Sequence, residues 1–173
     1  MIETQRLILR KMNDQDGEYI VQWRNDPFIN KWMFDQQKIT LKSHNDWFRT
    51  KDRDTRIDYI IEDRSTGHPI GTLNFKNLES GEAEAGKMLG NREYWGKGFA
   101  KEAFGAWVAF GFNVLQLKGI YIYTQSENVG NIALNSKLGF VKSEQIKSNN
   151  AEQGLEFIKM TLSLSDFQKL KNK

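Results

Sequence analysis

The segment Trp95-Gly96-Lys97-Gly98-Phe99-Ala100, between a strand-like stretch and a long amphipathic helix, constrains this chain more than any other feature. Its two glycines keep the backbone free of side chains just before the helix begins. The first N–H groups of a helix have no partner within the helix, and the helix dipole makes that end partly positive. The sequence therefore predicts a phosphate or pyrophosphate site at this loop.

Two better-known phosphate motifs do not match the loop. The dinucleotide fingerprint G-x-G-x-x-G needs a third glycine, and Lys101 occupies that position. The P-loop pattern fails as well, because no Gly-Lys-Ser or Gly-Lys-Thr follows. The loop is thus a phosphate-binding candidate outside both common nucleotide motifs.

The composition excludes several kinds of site. The chain has 173 residues, the size of one domain, and we predict a single domain over residues 1–173. Cysteine is absent, which excludes disulfides, cysteine zinc ligands and a thiol nucleophile. With His44 and His68 as the two histidines, a histidine-rich metal site is also disfavoured, and we expect no metal.

The charge pattern argues against nucleic acid as a partner. The 25 basic and 22 acidic residues give a net charge of +3 and are mixed along the chain, apart from the basic stretch 169–173. Nucleic-acid binding usually needs a concentrated basic face, whereas a mild excess suits an anionic cofactor or a nucleotide-linked substrate. Residues 1–6 show no apolar leader and no stretch reaches membrane-spanning length, so we expect a cytoplasmic monomer or homodimer without membrane contact.

Hydrophobic periodicity predicts alternating strands and helices in one α/β or α+β domain around a mixed sheet. The predicted strands are 6–10, 58–63, 69–75, 83–89, 120–123, 140–147 and 155–164. The predicted helices are 13–23, a short turn ending at Met33, 40–51, 98–115 and 129–137, with turns at 65–68, 79–81 and 148–150.

Three segments together resemble the GNAT superfamily of acetyl-CoA-dependent N-acetyltransferases. They are Gly86-Lys87-Met88-Leu89-Gly90, Trp95 to Ala103, and Glu127 to Ala133 leading into Lys137-Leu138-Gly139-Phe140. The resemblance covers essentially the whole chain, and the loop form is most similar to the branch of ribosomal-protein N-terminal acetyltransferases. It implies a mixed, mostly antiparallel sheet flanked by helices, with the fourth and fifth predicted strands splayed apart.

The resemblance also implies where acetyl-CoA binds. The loop would hold the CoA pyrophosphate, and the fourth predicted strand would hold the pantetheine arm. The implied donor-binding residues are Met88, Leu89, Trp95, Gly96, Lys97, Gly98, Phe99, Ala100, Asn128 and Asn131. Trp95 stands where the family often has Arg or Gln, and we expect its side chain to pack. Both asparagines could instead cap the helix that follows.

Catalysis requires a base, because an alkylammonium with a pKa of about 10 must lose a proton before it attacks a thioester. Our candidates are Glu84, then Glu127, then His44, although Glu84 could be a solvated strand residue and His44 a buried structural one. The resemblance places a proton-donating Tyr four residues before Gly139, where this chain has Asn135. The leaving thiolate would then take its proton from Tyr121, Tyr123 or water.

The N-terminal third suggests the acceptor. Trp23-Arg24-Asn25, Ile29, Trp32-Met33, His44 and Trp47-Phe48 resemble amino-sugar acetyltransferases of nucleotide-sugar pathways, such as pseudaminic acid synthesis. The implied reaction is direct attack by the primary amine of an amino sugar, preferably nucleotide-linked. The alternatives are a protein N-terminal α-amine, a polyamine or aminoglycoside, and a non-catalytic acyl-CoA-binding module. The aromatic residues could equally belong to the core.

Overall fold

The computed structural model describes residues 1–78, 81–147 and 154–172. The predicted turn at 148–150 and the first two residues of the predicted turn at 79–81 lie outside these residues. Within them, eight strands form one sheet in the order β1-β2-β3-β4-β5-β6-β8-β7. The strands are β1 Ile2–Glu3, β2 Leu7–Lys11, β3 Ile57–Asp63, β4 Pro69–Lys76, β5 Glu82–Leu89, β6 Gly119–Gln125, β7 Val141–Lys147 and β8 Glu156–Ser163.

Helices cover both faces of this sheet. They are α1 Gly17–Asn25, α2 Pro27–Asn30, α3 Leu41–Thr50, α4 Phe99–Asn113, α5 Val129–Lys137 and α6 Leu164–Lys171. Every neighbouring strand pair is antiparallel except β5 and β6, which are parallel. The predicted mixed, mostly antiparallel sheet with flanking helices is therefore confirmed. Within the described ranges, no helix combines the length and apolar character needed to cross a bilayer.

The structure adds two elements that periodicity did not predict. Strand β1 has two residues and pairs with β2 through Ile2 and Leu9, so it is too short to show an alternating pattern. Helix α6 begins directly after β8, where the Ser163 side chain accepts a hydrogen bond from the Asp166 N–H. The predicted helix 13–23 begins as a 3-10 turn capped by Asn13 before α1 starts at Gly17.

The core lies mainly between the sheet and α4. Trp107 is fully buried there, with its ring stacked on Phe75 at 4.7 Å between centroids. A smaller apolar cluster lies on the opposite face, under α1 and α2, and includes Trp23, Ile60 and Met88. We call the side packed by α4 and α5 the α4 face, and the side packed by α1, α2 and α3 the α1 face.

The parallel strands β5 and β6 separate after a short ladder. They pair through Glu82 with Gly119, Ala83 with Ile120, and Glu84 with Tyr121. Beyond that point β5 pairs with β4, and β6 pairs with β8. The resulting gap, which we call the wedge, lies between residues 85–89 and 122–125. This is the separation of strands that the resemblance implied.

Candidate active site

A cavity of about 910 Å³ occupies the wedge and is lined by residues from both faces of the sheet. Ala100, Asn128 and Asn131 line it on the α4 face. Trp47 and His44 belong to the opposite, α1 face. The cavity thus connects the glycine loop before α4 with the aromatic residues of the N-terminal third.

The edge of β5 presents to this cavity backbone groups that do not pair with β6. In an antiparallel pair, successive residues direct their N–H and C=O groups alternately toward and away from the partner strand. The Gly90 N–H donates to the Ile70 carbonyl of β4, so the Met88 backbone also faces β4. The backbone groups of Lys87 and Leu89 consequently face the wedge, where β6 has moved away. The Met88 side chain instead packs under α1.

The loop before α4 has the open backbone that the sequence predicts. Gly96 and Gly98 have φ values of 72° and 83°, in the left-handed region that glycine adopts readily. The space where a side chain would begin at Gly96 is open. Gly98 is the N-cap of α4 and supplies no side-chain acceptor, so the helix starts with free N–H groups. This arrangement fits the pyrophosphate of a CoA molecule.

Arg6 stabilises the loop, a role that no local sequence pattern indicates. Its guanidinium donates to the Lys97 carbonyl at 3.1 Å, pairs with Glu102 at 2.7 Å and lies 4.0 Å from the Phe99 ring centroid. Burial raises the pKa of Glu102, but hydrogen bonds from Thr4 and Arg6 outweigh that effect and lower it. The Lys97 side chain itself is exposed.

The start of α5 places two polar residues on the cavity wall. Asn128 is the N-cap, and its side chain accepts a hydrogen bond of 3.2 Å from the Asn131 N–H. The Asn131 side chain donates to the Thr124 hydroxyl at 3.3 Å. Capping and contact with a ligand are compatible here, because both side chains also line the cavity.

Lys87 reaches from β5 toward α5 on the α4 face, and the sequence patterns did not single it out. Its Nζ donates to the Asn135 Oδ1 at 2.5 Å and lies 4.0 Å from the Phe104 ring centroid. Asn135 is fully buried and also donates to the Thr124 hydroxyl at 3.2 Å. Burial of the ammonium lowers the pKa of Lys87 to about 7.

The three predicted bases lie in different surroundings. Glu84 lines the cavity at the last β5–β6 pair and forms an ion pair of 2.6 Å with Lys76. His44 lines the cavity on α3, where burial and then the nearby Lys51 lower its pKa. The Glu127 side chain is exposed and does not line the cavity. The structure therefore brings Glu84 and His44, but not Glu127, to the same cavity.

Two residues that line the cavity each have a buried polar atom without a hydrogen-bond partner among the described residues. The atoms are Nε of Arg24, on α1, and Oδ1 of Asn74, on β4. An added side chain at Gly86 would come within 2.7 Å of the Asn74 oxygen, so this glycine keeps space for the amide. Both side chains therefore keep unused hydrogen-bonding capacity at the cavity wall.

Comparison with known proteins identifies the family. The model of the acetyltransferase (GNAT) domain matches residues 6–141. The "uncharacterized N-acetyltransferase p20" of Bacillus licheniformis is 32% identical over 160 residues, which cover 87% of this chain and 88% of that protein. The "uncharacterized N-acetyltransferase YoaA" of Bacillus subtilis is 28% identical over 165 residues, covering 91% and 92%.

A solved structure has the same fold at lower sequence identity. Spermidine N-acetyltransferase from Vibrio cholerae, in complex with CoA and spermine, superposes with a TM-score of 0.85 at 20% identity, covering 95% of this chain and 99% of that one. The open loop at α4 and the free edge of β5 fit the CoA moiety of an acetyl donor. The chain belongs to the GNAT family and is an acetyl-CoA-dependent N-acetyltransferase.

Proposed function

We propose that this enzyme acetylates the primary amine of an amino sugar that also carries an anionic group, with a nucleotide-linked amino sugar as the preferred acceptor. The observation that carries the proposal is the Arg24 side chain, which lines the cavity and whose buried Nε has no hydrogen-bond partner among the described residues. The relatives p20 and YoaA name no acceptor, so the argument depends on the residues that line the cavity.

Arg24 offers a cationic group with hydrogen-bonding capacity to spare. One terminal nitrogen donates to the Asp35 carbonyl at 3.0 Å, while Nε has no partner within the described ranges. Burial lowers the pKa of Arg24, although a guanidinium stays protonated at neutral pH. Phosphate and carboxylate groups match the planar fork of arginine, so an anionic acceptor would satisfy this side chain.

Two of the three carboxylates that line the cavity already have cationic partners. Asp58 forms ion pairs of 2.8 Å with both Lys51 and Arg56, and Glu84 pairs with Lys76. The charge of the third, Asp35, stabilises the protonated Arg24 guanidinium and opposes the effect of burial on the pKa of Arg24. Carboxylates that already have cationic partners offer little further attraction to a polycation. This differs from what the spermidine acetyltransferase fold alone would suggest, and it favours an acceptor of mixed or negative charge.

Aromatic side chains provide apolar walls on the α1 face. Trp32, Phe34 and Trp47 line the cavity, and Phe34 stacks on Phe157 at 3.8 Å between ring centroids. Flat apolar rings pack well against the faces of sugars and nucleobases, while a few polar groups fix orientation. A nucleotide-linked sugar would use both kinds of contact.

The residues divide the chemistry between them. Acetyl-CoA supplies an activated acetyl group as a thioester. Glu84, at the narrow end of the wedge, is our first choice to take the proton of the acceptor ammonium, and His44 is the second. The Leu89 N–H faces the wedge and could donate a hydrogen bond to the acetyl oxygen as negative charge develops on it.

Release of free CoA in the presence of an amine panel tests this function. The panel contains a nucleotide-linked amino sugar, the same sugar without its nucleotide, spermidine and a peptide with a free N-terminus. We expect the highest kcat/KM with the nucleotide-linked sugar. A preference for spermidine or for the peptide would contradict the proposal.

The variant Arg24→Met tests the residue that carries the argument. Loss of hydrogen bonds to a charged group should raise the KM for the anionic acceptor about 10- to 100-fold, with a smaller effect on the sugar that lacks the nucleotide. Arg49→Met is the matched control, because Arg49 is exposed on α3 outside the cavity lining. Equal KM values in Arg24→Met and wild type would refute recognition by Arg24.

A further inference from the structure

We propose that Lys87 is the proton donor to the sulfur of CoA when the acetyl group is transferred. The inference concerns the donor side of the reaction, so it does not depend on which amine is the acceptor. It starts from the position of Lys87 in the wedge and from the groups that surround its ammonium.

Lys87 lies on the strand edge along which the donor would extend. Its backbone faces the wedge, its side chain lines the cavity, and the loop that fits the pyrophosphate precedes α4 on the same face of the sheet. A donor that runs from this loop toward the narrow end of the wedge at Glu84 passes Lys87. The ammonium therefore lies beside the path of the thioester.

Among the residues that the structure describes, the groups around the Lys87 ammonium are uncharged. Phe104 of α4, Asn135 of α5 and Thr124 of β6 face the ammonium or its amide partner, and none of them is charged. Within the described residues Lys87 forms no ion pair, and burial alone accounts for the lowered pKa of about 7. The Asn135 oxygen and the Phe104 ring both interact favourably with the protonated form.

This pKa suits donation to a thiolate. An ordinary thiol has a pKa of about 8.5, so proton transfer from an ammonium of pKa about 7 to a leaving thiolate is downhill. An ordinary lysine, with a pKa of about 10.4, would be a poorer donor. The Asn135 amide carries no dissociable proton at neutral pH and acts as a positioning residue for Lys87.

The step balances as follows. The acceptor ammonium first gives one proton to the base and becomes a neutral amine. Its nitrogen then forms a bond to the acetyl carbon and loses a second proton to solvent, while the carbon–sulfur bond breaks and its electron pair stays on sulfur. Sulfur takes a proton from the Lys87 ammonium to form the thiol of CoA, and the neutral Lys87 amine regains a proton from water.

The two tyrosines considered from the sequence lie on the other side of the sheet. The Tyr121 hydroxyl accepts a hydrogen bond from Asn77 at 3.0 Å, and the Tyr123 ring contacts Phe34 with centroids 6.0 Å apart. Both therefore face the α1 side, and burial raises the pKa of Tyr123 further from neutrality. Lys87 is better placed on the α4 face.

A titration of the wild-type protein tests the proposal without measuring turnover. The Cε signals of carbon-13-labelled lysines are followed against pH, and the Lys87 signal is assigned by its loss in Lys87→Arg and in Lys87→Met. We expect a midpoint near 7, against about 10.4 for exposed lysines. Bound CoA should shift the Lys87 Cε signal relative to bound desulfo-CoA, because only CoA places a sulfur atom beside the ammonium. A Lys87 midpoint near 10.4, or identical Lys87 signals with the two ligands, would overturn the proposal.

Variants then separate proton donation from charge. In Lys87→Met, kcat should fall about 100-fold with the KM for acetyl-CoA nearly unchanged, and the loss of activity above neutral pH should disappear. Lys87→Arg keeps the charge but has no proton that dissociates near neutral pH, so its kcat should fall to a similar degree. Full activity of Lys87→Arg would refute proton donation.

Asn135→Asp should raise the pKa of Lys87 and move the alkaline limb of the kcat profile to higher pH. Lys142→Met, an exposed lysine of β7, is the matched control.

Discussion

The indole Nε1 of Trp95 donates a hydrogen bond of 2.8 Å to the carbonyl oxygen of Leu89. This bond joins the loop before α4 to the last residue of β5, so the two parts of the chain that fit the acetyl donor are held at a fixed spacing. Trp95 is 39% exposed and makes this contact at the edge of the cavity. Its role is to position the loop through a polar contact as well as by packing.

Trp95→Phe removes this hydrogen bond and keeps an aromatic ring. We expect the Kd for CoA, measured by calorimetry, to rise about 2- to 10-fold, because a typical hydrogen bond contributes about 1 kcal/mol. The midpoint of thermal unfolding should change little, since the side chain is partly exposed. An unchanged Kd would show that the loop keeps its position without the indole.

Gly98→Ala tests the backbone at the start of α4. The φ of 83° at Gly98 lies in the left-handed region, where a side chain costs about 1–2 kcal/mol. The variant should lose about that much free energy of unfolding and bind CoA more weakly. Gly105→Ala, inside α4, is the matched control and should gain up to about 1 kcal/mol, because its added methyl group meets only Leu138, at 3.6 Å. Equal effects of the two variants would contradict the assignment of strain to Gly98.

Glu84→Gln tests the proposed base. We expect kcat to fall about 100-fold at neutral pH, because the amide cannot accept the proton of the acceptor ammonium. The amide also leaves Lys76 without its ion-pair partner, so the double variant Glu84→Gln, Lys76→Met controls for that charge. Glu82→Gln, on the same strand but exposed, should leave kcat unchanged. Full activity of Glu84→Gln would transfer the proposed role to His44.

The lowered pKa of His44 predicts that the stability of the folded protein depends on pH. Because the pKa of His44 in the folded protein lies below its ordinary value of 6.5, the unfolded chain binds this proton more readily than the folded one. The contribution of neutral His44 to the free energy of unfolding is fully present above pH 6.5. It is lost as the pH falls through the lower pKa of the folded state. Urea unfolding should therefore show lower stability at pH 5.5 than at pH 7.5, and His44→Gln should reduce that difference. His68→Gln is the control, since His68 is exposed between β3 and β4.

Sequence patterns predicted most of the fold because its elements have clear local signals. The helix Val129–Lys137 follows a capping Asn128 and ends before Gly139, and its predicted bounds match the structure. The open loop before α4 was predicted equally clearly from Gly96 and Gly98. The elements that were missed, β1 and α6, are either very short or begin immediately after a strand, where periodicity is uninformative.

The site was predicted less completely, because its key contacts join distant parts of the chain. Lys87 and Asn135 are 48 positions apart, and Arg6 meets Glu102 across 96 positions. The unpartnered Nε of Arg24 is a property of the folded cavity that no residue pattern records. Sequence position can also suggest a residue that lies outside the site. Glu127 was a candidate because it follows a strand, but its side chain is exposed and does not line the cavity.

Within the described chain, three residue pairs between β5 and β6 join the two halves of the sheet, β1 to β5 and β6 to β8. We call this short ladder the seam. Local opening begins where few backbone hydrogen bonds resist it, so this seam should be an early point of fluctuation. A donor bound along β5 would bridge the two halves of the sheet and slow amide hydrogen exchange in β6 and β8 as well as at the loop. When CoA leaves, the fluctuation at the seam would return. The rigidity of the sheet would therefore change once in each catalytic cycle.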